Sequence, residues 1–122
     1  MPISYSSAVT PNPFWSEVIT PQYHTLNLSV QQDQTVAIRP AVGETWLIWV
    51  NAYLYQNLQA GDFIRVMDQD DQYLFEVQLD DNNIGFTGFC VVITYDKYIK
   101  IRFYNSAAKT TAAYYNYSGF KL

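Results

Sequence analysis

The stretch that decides the fold is Glu44–Tyr55, which reads ETWLIWVNAYLY. In an extended strand successive side chains point to opposite sides, so this stretch presents two separate sets of residues. Both sets are apolar or aromatic, whereas a half-exposed antiparallel strand has one polar side. Either the strand is covered on both faces, or its Trp and Tyr side faces another molecule. One side carries Trp46, Ile48, Val50, Ala52 and Leu54, and the other carries Leu47, Trp49, Asn51, Tyr53 and Tyr55.

The chain from His24 onward alternates apolar and polar residues with a period of two, which is typical of strands. Turn residues separate these segments every ~8–12 residues, and the sequence has no long segment with helical apolar spacing. We therefore predict an all-β protein: a single antiparallel β-sandwich, jelly-roll-like, with about eight strands. The predicted strands are 24–30, 35–38, 44–55, 63–67, 73–79, 89–94, 98–104 and 110–120, with a break at 85–88.

Residues 1–23 are predicted to form an extended N-terminal arm, and residues 24–122 the β-sandwich domain. The arm contains Pro2, Pro11, Pro13 and Pro21, and proline fixes φ and opposes a helix. It is too apolar for a typical disordered tail, so its side chains need a surface, on their own sandwich or on a neighbouring subunit. We favour the neighbour. The expected contact residues of the arm are Phe14, Trp15 and Ile19.

The charge of the chain argues against a nucleic-acid partner. The 122 residues carry a formal net charge of −4, and the seven Lys and Arg residues are scattered from Arg39 to Lys121. A nucleic-acid groove needs clustered basic side chains. Aromatic residues are abundant instead, with eleven Tyr, seven Phe and three Trp. Tyr and Trp are favoured both in strands and in binding surfaces, so composition alone does not separate these two roles.

The sequence contains one cysteine and no pattern typical of a membrane span or a signal peptide. Cys90 is the only cysteine, so no disulfide within one chain is expected, and its apolar surroundings favour a buried structural thiol. No window approaches the ~18 apolar residues of a membrane span, and the N-terminus lacks the pattern of a signal peptide. We therefore expect a protein without a membrane span that does not follow ordinary secretion.

Catalytic and metal-binding patterns are weak. His24 is the only histidine, and no nucleophile motif surrounds it, so we expect no enzyme and no cofactor. Two acidic segments, 68–71 and 80–83, could each hold a calcium ion loosely. The predicted strand 73–79 separates them by about 23 Å, so they cannot share an ion. Both segments are better explained as ordinary turns, so we predict no metal site.

A carbohydrate-binding module or lectin is the alternative function. Exposed Trp and Tyr side chains on a sandwich can stack on sugar rings, so a glycan is a possible partner. The proline-containing arm and the missing signal peptide count against a secreted sugar binder. The aromatic candidates are Trp49, Tyr53, Tyr55, Tyr114, Tyr115 and Tyr117.

Two parts of the sequence resemble small β-sandwich proteins encoded by tailed phages and other viruses. Residues Thr35–Ile48, TVAIRPAVGETWLI, match a strand-turn-strand pattern T-V-x-I-x-P-x-x-G-E-x-W-x-I. Residues Tyr98–Ser106 and Tyr117–Gly119 are similar to the Y-x-x-I-x-x-x-N-S and Y-S-G end of that group. The resemblance spans roughly residues 34–120 and omits the arm. Its motifs are structural, since Pro40 and Gly43 shape a turn and Trp46 fills a core.

The resemblance implies a virion component, such as a capsid decoration (cement) protein, a minor capsid protein or a spike base. Proteins of this kind usually act as symmetric oligomers on a capsid, so we expect a homo-oligomer, with a trimer favoured, that binds other capsid proteins. An assembly chaperone absent from the particle is a third possibility. The expected protein contacts are Phe14, Trp15 and Ile19 on the arm, and Trp49, Tyr53 and Tyr55 on the outward side of the organising strand.

Overall fold

The computed structural model describes residues 17–28, 33–106 and 109–122. These residues form eight β-strands, and none of them lies in a helix that could cross a membrane. Alternating side chains and short turns account for this all-β content. The strands are β1 (Glu17–Leu28), β2 (Asp33–Ile38), β3 (Thr45–Tyr55), β4 (Phe63–Asp68), β5 (Tyr73–Gln78), β6 (Ile84–Thr94), β7 (Ile99–Tyr104) and β8 (Thr111–Lys121).

The strands form two four-stranded antiparallel sheets. Sheet A has the order β1-β8-β3-β6, and sheet B has the order β2-β7-β4-β5. Strand β1 therefore pairs with β8, β2 with β7, β3 with β6, and β4 with β5, as in a long hairpin folded over on itself. This nested pairing of eight strands in two sheets is the jelly-roll order. The predicted jelly-roll-like β-sandwich is confirmed.

Strand β3 lies inside sheet A, between β8 and β6. Its inward residues Ile48, Val50, Ala52 and Leu54 are buried in the core between the two sheets. Trp46 lies on the same side but is only partly buried against that core. Because sheet B covers only one face, the opposite side of β3 points away from the core. The Trp and Tyr side of this strand is therefore the outer surface of sheet A.

The arm and domain boundary differs from the expectation. Strand β1 begins at Glu17, seven residues before the boundary that we placed at His24. Its first residues pair with the end of β8, with Glu17 opposite Lys121 and Ile19 opposite Gly119. A register shift follows between Ile19 and Gln22, which accommodates Pro21 in an edge strand. Residues 1–16 lie outside the described residues.

Strand β6 also begins earlier than predicted. It starts at Ile84, so that Gly85 and Gly88 lie within the strand instead of breaking the chain. The strand keeps its pairing with β3 through a register shift between Val50 and Ala52. The tight turn at residues 95–97 then leads from sheet A to β7 in sheet B, as expected for a crossover between the layers of a sandwich.

The turn between β2 and β3 has the geometry that its sequence suggests. The Glu44 N–H donates a hydrogen bond to the Ala41 carbonyl oxygen at 3.0 Å. Gly43 adopts φ 84°, a conformation that costs glycine little because it has no Cβ. This turn delivers Trp46 and the rest of β3 into the centre of sheet A.

Candidate functional site

The outer face of sheet A is the most unusual surface of the described chain. Cross-strand partners in an antiparallel sheet lie on the same face, so the register identifies which side chains share it. The outward residues of β3 are 47, 49, 51, 53 and 55. These five residues, their partners on β6 and β8, and the β1 partners of those β8 residues occupy seventeen positions. They are Val18, Tyr23, Thr25, Asn27, Leu47, Trp49, Asn51, Tyr53, Tyr55, Gly85, Cys90, Val92, Ala112, Tyr114, Asn116, Ser118 and Phe120.

None of these seventeen positions carries a charge, although the chain has seven basic and eleven acidic residues. Several of the apolar side chains are open to solvent, and Trp49, Tyr53 and Tyr55 are 39%, 36% and 42% exposed. The cores of protein interfaces lack charged residues and are enriched in Tyr, Trp and Phe. The composition of this face is therefore that of a surface covered by another molecule.

Three tyrosines form a stack across the middle of the face. The ring of Tyr114, on β8, stacks on that of Tyr53, on β3, with centroids 6.0 Å apart. On its other side Tyr114 stacks on Tyr23 of β1, with centroids 6.4 Å apart. The Tyr53 ring also covers Gly85 of β6. The stack therefore spans all four strands and gives the face a continuous aromatic strip.

A second aromatic contact lies nearer the β8 terminus. The Trp49 and Phe120 rings meet edge to face, with centroids 6.1 Å apart and planes at 81°. They border a shallow cleft of about 260 Å³, which Val18, Pro21 and Ser118 also line. Val18 is itself largely exposed on β1. This end of the face is thus open and apolar, and it adjoins the point where the described chain begins.

The amides between the two aromatic groups are paired with one another. The Gly88 N–H donates to Asn51 Oδ1 at 2.8 Å, and Asn51 Nδ2 donates to Asn116 Oδ1 at 2.7 Å. Asn116 Nδ2 in turn donates to the Tyr114 hydroxyl oxygen at 2.7 Å. Burying an amide without a partner is costly, but these amides already have partners. The face can therefore be covered without a large penalty at its polar centre.

A second cleft, of about 380 Å³, lies at the other end of β3. Tyr53, Tyr55 and Tyr114 supply aromatic walls, and Leu54, Ile84 and Asn83 complete it. Aromatic rings beside an amide group are the components of many sugar-binding sites. This cleft is the part of the face where a small ligand would fit.

The outer face of sheet B has the opposite character. Arg65 pairs with Glu76 at 2.6 Å, Lys100 with Asp71 at 2.7 Å, and Arg102 with Asp33 at 2.5 Å. All of these side chains except Glu76 line a groove of about 590 Å³, together with Thr35, Met67 and Tyr73. Each cation there has a carboxylate partner within the chain. The groove thus lacks a surplus of either charge with which to attract an ion.

The pKa of Glu76 shows how this network is balanced. A hydrogen bond from Gln78 Nε2, 2.7 Å from Glu76 Oε2, lowers that pKa most. Burial raises it, and the hydrogen bond and charge of Arg65 lower it again, so the net pKa lies below the ordinary value. The Arg65 guanidinium also lies 4.0 Å from the centre of the Tyr73 ring. The charged groups of this network are therefore paired with one another within the chain.

The structure brings together three of the six predicted contact residues. Trp49, Tyr53 and Tyr55 share the outer face of sheet A. Ile19 is only 8% exposed and packs in the core, because β1 has already joined sheet A at that point. Phe14 and Trp15 lie outside the described residues.

Sequence reasoning missed Tyr23, Val18 and Phe120 as members of this face. Alternation alone places Val18 and Tyr23 on opposite sides of β1, and the register shift between Ile19 and Gln22 brings both to the outer face. The register across three strands then joins them and Phe120 to Trp49. The six aromatic candidates for sugar binding are divided as well. Tyr115 and Tyr117 lie on the opposite side of β8 from Tyr114, and burial raises the pKa of both hydroxyls. The six therefore do not form one platform.

The residues weighed for chemistry are dispersed. The His24 ring stacks on Tyr115, with centroids 4.7 Å apart. Cys90, which we expected to be buried, is exposed, because it lies opposite Trp49 on the outer face of sheet A. Asp68 accepts hydrogen bonds from the Asp70 and Gln72 N–H groups, as in an ordinary turn. Among residues 17–28, 33–106 and 109–122, no three His, Cys, Asp or Glu side chains cluster to hold a metal.

Comparisons with known proteins give only distant similarities. No protein-family model matches the chain, and no curated protein matches it. A crystal structure of FLHE matches this chain with 14% sequence identity and a TM-score of 0.36, and the match covers 83% of this chain and 96% of the FLHE chain. The VP2 subviral particle of infectious bursal disease virus is 11% identical with a TM-score of 0.30, covering 83% and 33%.

A structure of T=1 particles derived from infectious bursal virus is 10% identical with a TM-score of 0.24, covering 84% of this chain and 41% of that one. The chain thus spans less than half the length of these two viral chains. Structural neighbours of this β-rich chain therefore include viral capsid particles. Similarity at this level carries no inference about activity or partners.

Proposed function

We propose that this chain is a structural subunit of a virion, which associates with copies of itself and binds a capsid as a decoration (cement), minor capsid or spike-base protein. The observation that carries the proposal is the uncharged, aromatic outer face of sheet A. Such a face is costly to leave in water and has the composition of an interface core. The resemblance of residues 34–120 to viral β-sandwich proteins supports the viral setting.

The size of the face suits a stable contact. Four strands about 4.8 Å apart and eleven residues long at about 3.4 Å per residue give an area of about 700 Å². A standard protein interface buries about 800 Å² on each partner. One copy of the face can therefore supply most of one side of a specific interface. Trp49 and Tyr53 flank Asn51 at the middle of β3, between the two end clefts, and residues near the centre of an interface contribute most to binding.

We expect a trimer, in which each subunit presents the same face to its neighbours. A symmetric oligomer would then hold several capsid contacts at once, and linked weak contacts give strong attachment. The role is one of binding, without catalysis, and requires no cofactor. The virion is the expected location, and an assembly chaperone with the same surface would differ by being absent from purified particles.

The solution mass of the protein tests self-association. Multi-angle light scattering of the wild type should give a multiple of the 14.1 kDa chain mass, with three chains expected where contact through this face alone joins them. The double variant Trp49→Ser, Tyr53→Ser should give a lower mass at the same concentration, because it removes two aromatic contacts from the centre of the face. Tyr73→Ser, which alters an exposed tyrosine on sheet B, is the matched control and should leave the mass unchanged.

A wild-type mass of 14.1 kDa across the accessible concentration range would overturn self-association. The same holds if the double variant keeps the wild-type mass while remaining folded by circular dichroism. Binding to a capsid is tested separately, by co-sedimentation of the protein with particles from the virus that encodes it. The chain should sediment with them, and a chaperone would not.

A sugar-binding function is the second candidate, and the cleft of Tyr53, Tyr55, Tyr114 and Asn83 favours it. In that case a glycan ring would stack on a tyrosine and accept or donate hydrogen bonds at Asn83. A glycan array would show retention that Tyr55→Ser abolishes, whereas the solution mass would not depend on Trp49. An array without binding, together with a mass that depends on Trp49, would exclude this candidate in favour of the virion subunit.

A further inference from the structure

Strand β6 is an unprotected edge of sheet A. It ends the strand order of that sheet, so one row of its backbone N–H and C=O groups lacks a strand partner among the described residues. Its eleven residues, IGFTGFCVVIT, include neither a charge nor a proline. Proteins usually protect an edge of this length with charges, prolines, bulges or short strands, because an open edge adds strands from other chains.

The other three edges carry such protection. Strand β1 has Glu17 and Pro21, in addition to a register shift like the one in β6. Strand β5 has only six residues and carries Glu76 near its middle, and β2 is equally short and begins with Asp33. Only β6, among the four edges described, combines length with a complete absence of charge. The contrast marks β6 as the edge that another strand can join.

The second half of β6 is the regular part of this edge. Residues 89–94 pair without interruption with residues 45–50 of β3, whereas the register shift lies before them. The six residues FCVVIT have high β-propensity and would be prone to aggregation if left open. Val92 is 55% exposed, and Cys90 is exposed beside it. Backbone and side chains here are both accessible to a partner strand.

A groove beside this edge would receive side chains of an added strand. It has a volume of about 150 Å³, and Leu74, Val91, Val92 and Tyr98 contribute apolar surface to it. Leu74 belongs to β5, the nearest edge of sheet B, and is itself exposed. When a strand joins an edge, backbone hydrogen bonds supply affinity and pockets for alternate side chains supply specificity. Both elements are present along residues 89–94.

The partner that fits this edge is a second copy of the same strand. In an antiparallel pair related by a two-fold axis, residues near the axis lie beside their own equivalents. A charge there would face an identical charge, as Glu76 would in a pair of β5 strands, and like charges directly opposite destabilise a sheet. Strand β6 has no charge to repel itself. Its β-branched residues would instead form favourable cross-strand pairs.

We propose that residues 89–94 of two copies pair antiparallel about a two-fold axis, which joins two A sheets into one sheet of eight strands. The two outer faces then lie on the same side and form one continuous uncharged surface. This contact uses the edge of sheet A and is independent of a contact through its outer face. The edge contact therefore goes beyond the proposed function. It can join two free chains, or two assemblies that the outer face of sheet A already holds together.

The pairing restricts which residues can lie opposite one another. Because the outer faces must coincide, the three central registers place Cys90 opposite Cys90, Cys90 opposite Val92, or Val92 opposite Val92 of the second copy. Directly opposite Cα atoms are about 4.5–5.5 Å apart, which a disulfide can bridge. The variant Val92→Cys, which keeps Cys90, therefore places a thiol pair across the axis in each of the central registers.

Oxidative cross-linking of Val92→Cys tests the pairing. Under mild oxidation most chains should run as a covalent dimer on a non-reducing gel and return to the monomer with a reductant. Val42→Cys is the matched control, since Val42 is 77% exposed in the turn before β3 and also leaves Cys90 in place. It should give no more dimer than the wild type. The proposal would be overturned if Val92→Cys gave no more dimer than a Cys90→Ser, Val42→Cys protein, whose single exposed thiol lies away from the edge.

A second pair of variants tests the edge without cysteine chemistry. Val92→Lys should lower the solution mass by placing two lysines close together across the axis, and Val42→Lys should not. An unchanged mass for a folded Val92→Lys protein would contradict the edge contact. Cross-linking of Val92→Cys in the Trp49→Ser, Tyr53→Ser background separates the two proposals. Dimer that persists there supports the edge contact even if the outer face proves not to be an interface.

Discussion

Asp62 and Lys109 form an ion pair that joins two connections of the sandwich, with Asp62 Oδ2 2.6 Å from Lys109 Nζ. Asp62 is completely buried, and the Lys109 side chain is 13% exposed. The carboxylate also accepts hydrogen bonds from the Gln59 N–H at 3.0 Å and from the Ser106 N–H at 2.8 Å. The pair thereby ties the segment before β4 to the segment after β7, at one end of the core.

Removing one member of this pair should strongly destabilise the fold. Asp62→Asn leaves the Lys109 ammonium buried without its counter-charge, and breaking a buried pair in this way costs about 3–5 kcal/mol. The free energy of unfolding from urea titration measures the effect. Asp71→Asn is the control, because the Lys100–Asp71 pair has a mostly exposed carboxylate and such pairs contribute about 0–1 kcal/mol. Similar costs for both variants would contradict this account.

The same carboxylate should make stability fall in acid. Burial raises the pKa of Asp62, but hydrogen bonds from Lys109 and Ser106 outweigh it and hold the pKa below the ordinary 3.8. The unfolded chain therefore binds this proton more readily, so the stabilisation is present above pH 3.8 and is lost as the pH falls through the lower folded value. Urea titrations between pH 7 and about pH 3 should show this loss, and Asp62→Asn should show a smaller dependence on pH.

The position of Tyr53 depends on the glycine opposite it. A Cβ at residue 85 would lie 2.5 Å from Tyr53 Cδ1 and 2.9 Å from the Ala52 carbonyl oxygen. Gly85→Ala should therefore push the Tyr53 ring from its stack on Tyr114 and destabilise the protein by about 1–3 kcal/mol, as overpacking does. In the Tyr53→Ser background the same substitution should cost less. Equal costs in both backgrounds, measured by urea titration, would show that the ring is not the obstacle.

The alternation in Glu44–Tyr55 was sufficient to divide the side chains of β3 between two faces, although it left open whether the Trp and Tyr side is covered. It also placed Trp49, Tyr53 and Tyr55 on one side, which the structure confirms as the outer side of sheet A. These predictions succeeded because they depend only on the two-residue period of a strand. That period acts locally and needs no knowledge of neighbouring strands.

Features that depend on long-range pairing could not be predicted in this way. Glycines at 85 and 88 indicated a break, yet β6 continues through them because β3 supplies hydrogen bonds on one side and Asn51 Oδ1 accepts from the Gly88 N–H. Pro21 suggested that the arm extends to residue 23, but an edge strand tolerates proline at an irregularity. Tyr23 and Phe120 joined the outer face only through register with strands far away in sequence.

Two truncations separate the role of the arm from that of β1. Deleting residues 1–16 should leave the free energy of unfolding almost unchanged, because β1 begins at Glu17, but should lower the solution mass if the arm contacts a neighbour. Deleting residues 1–20 also removes the buried Ile19 side chain and its strand pairing with β8, and should cost about 2–5 kcal/mol. Urea titration and light scattering of both proteins measure the two effects. If the shorter deletion already unfolds the protein, the arm is part of the core and cannot serve as a contact for a neighbour; if it changes neither stability nor mass, the outer face of sheet A assembles without it.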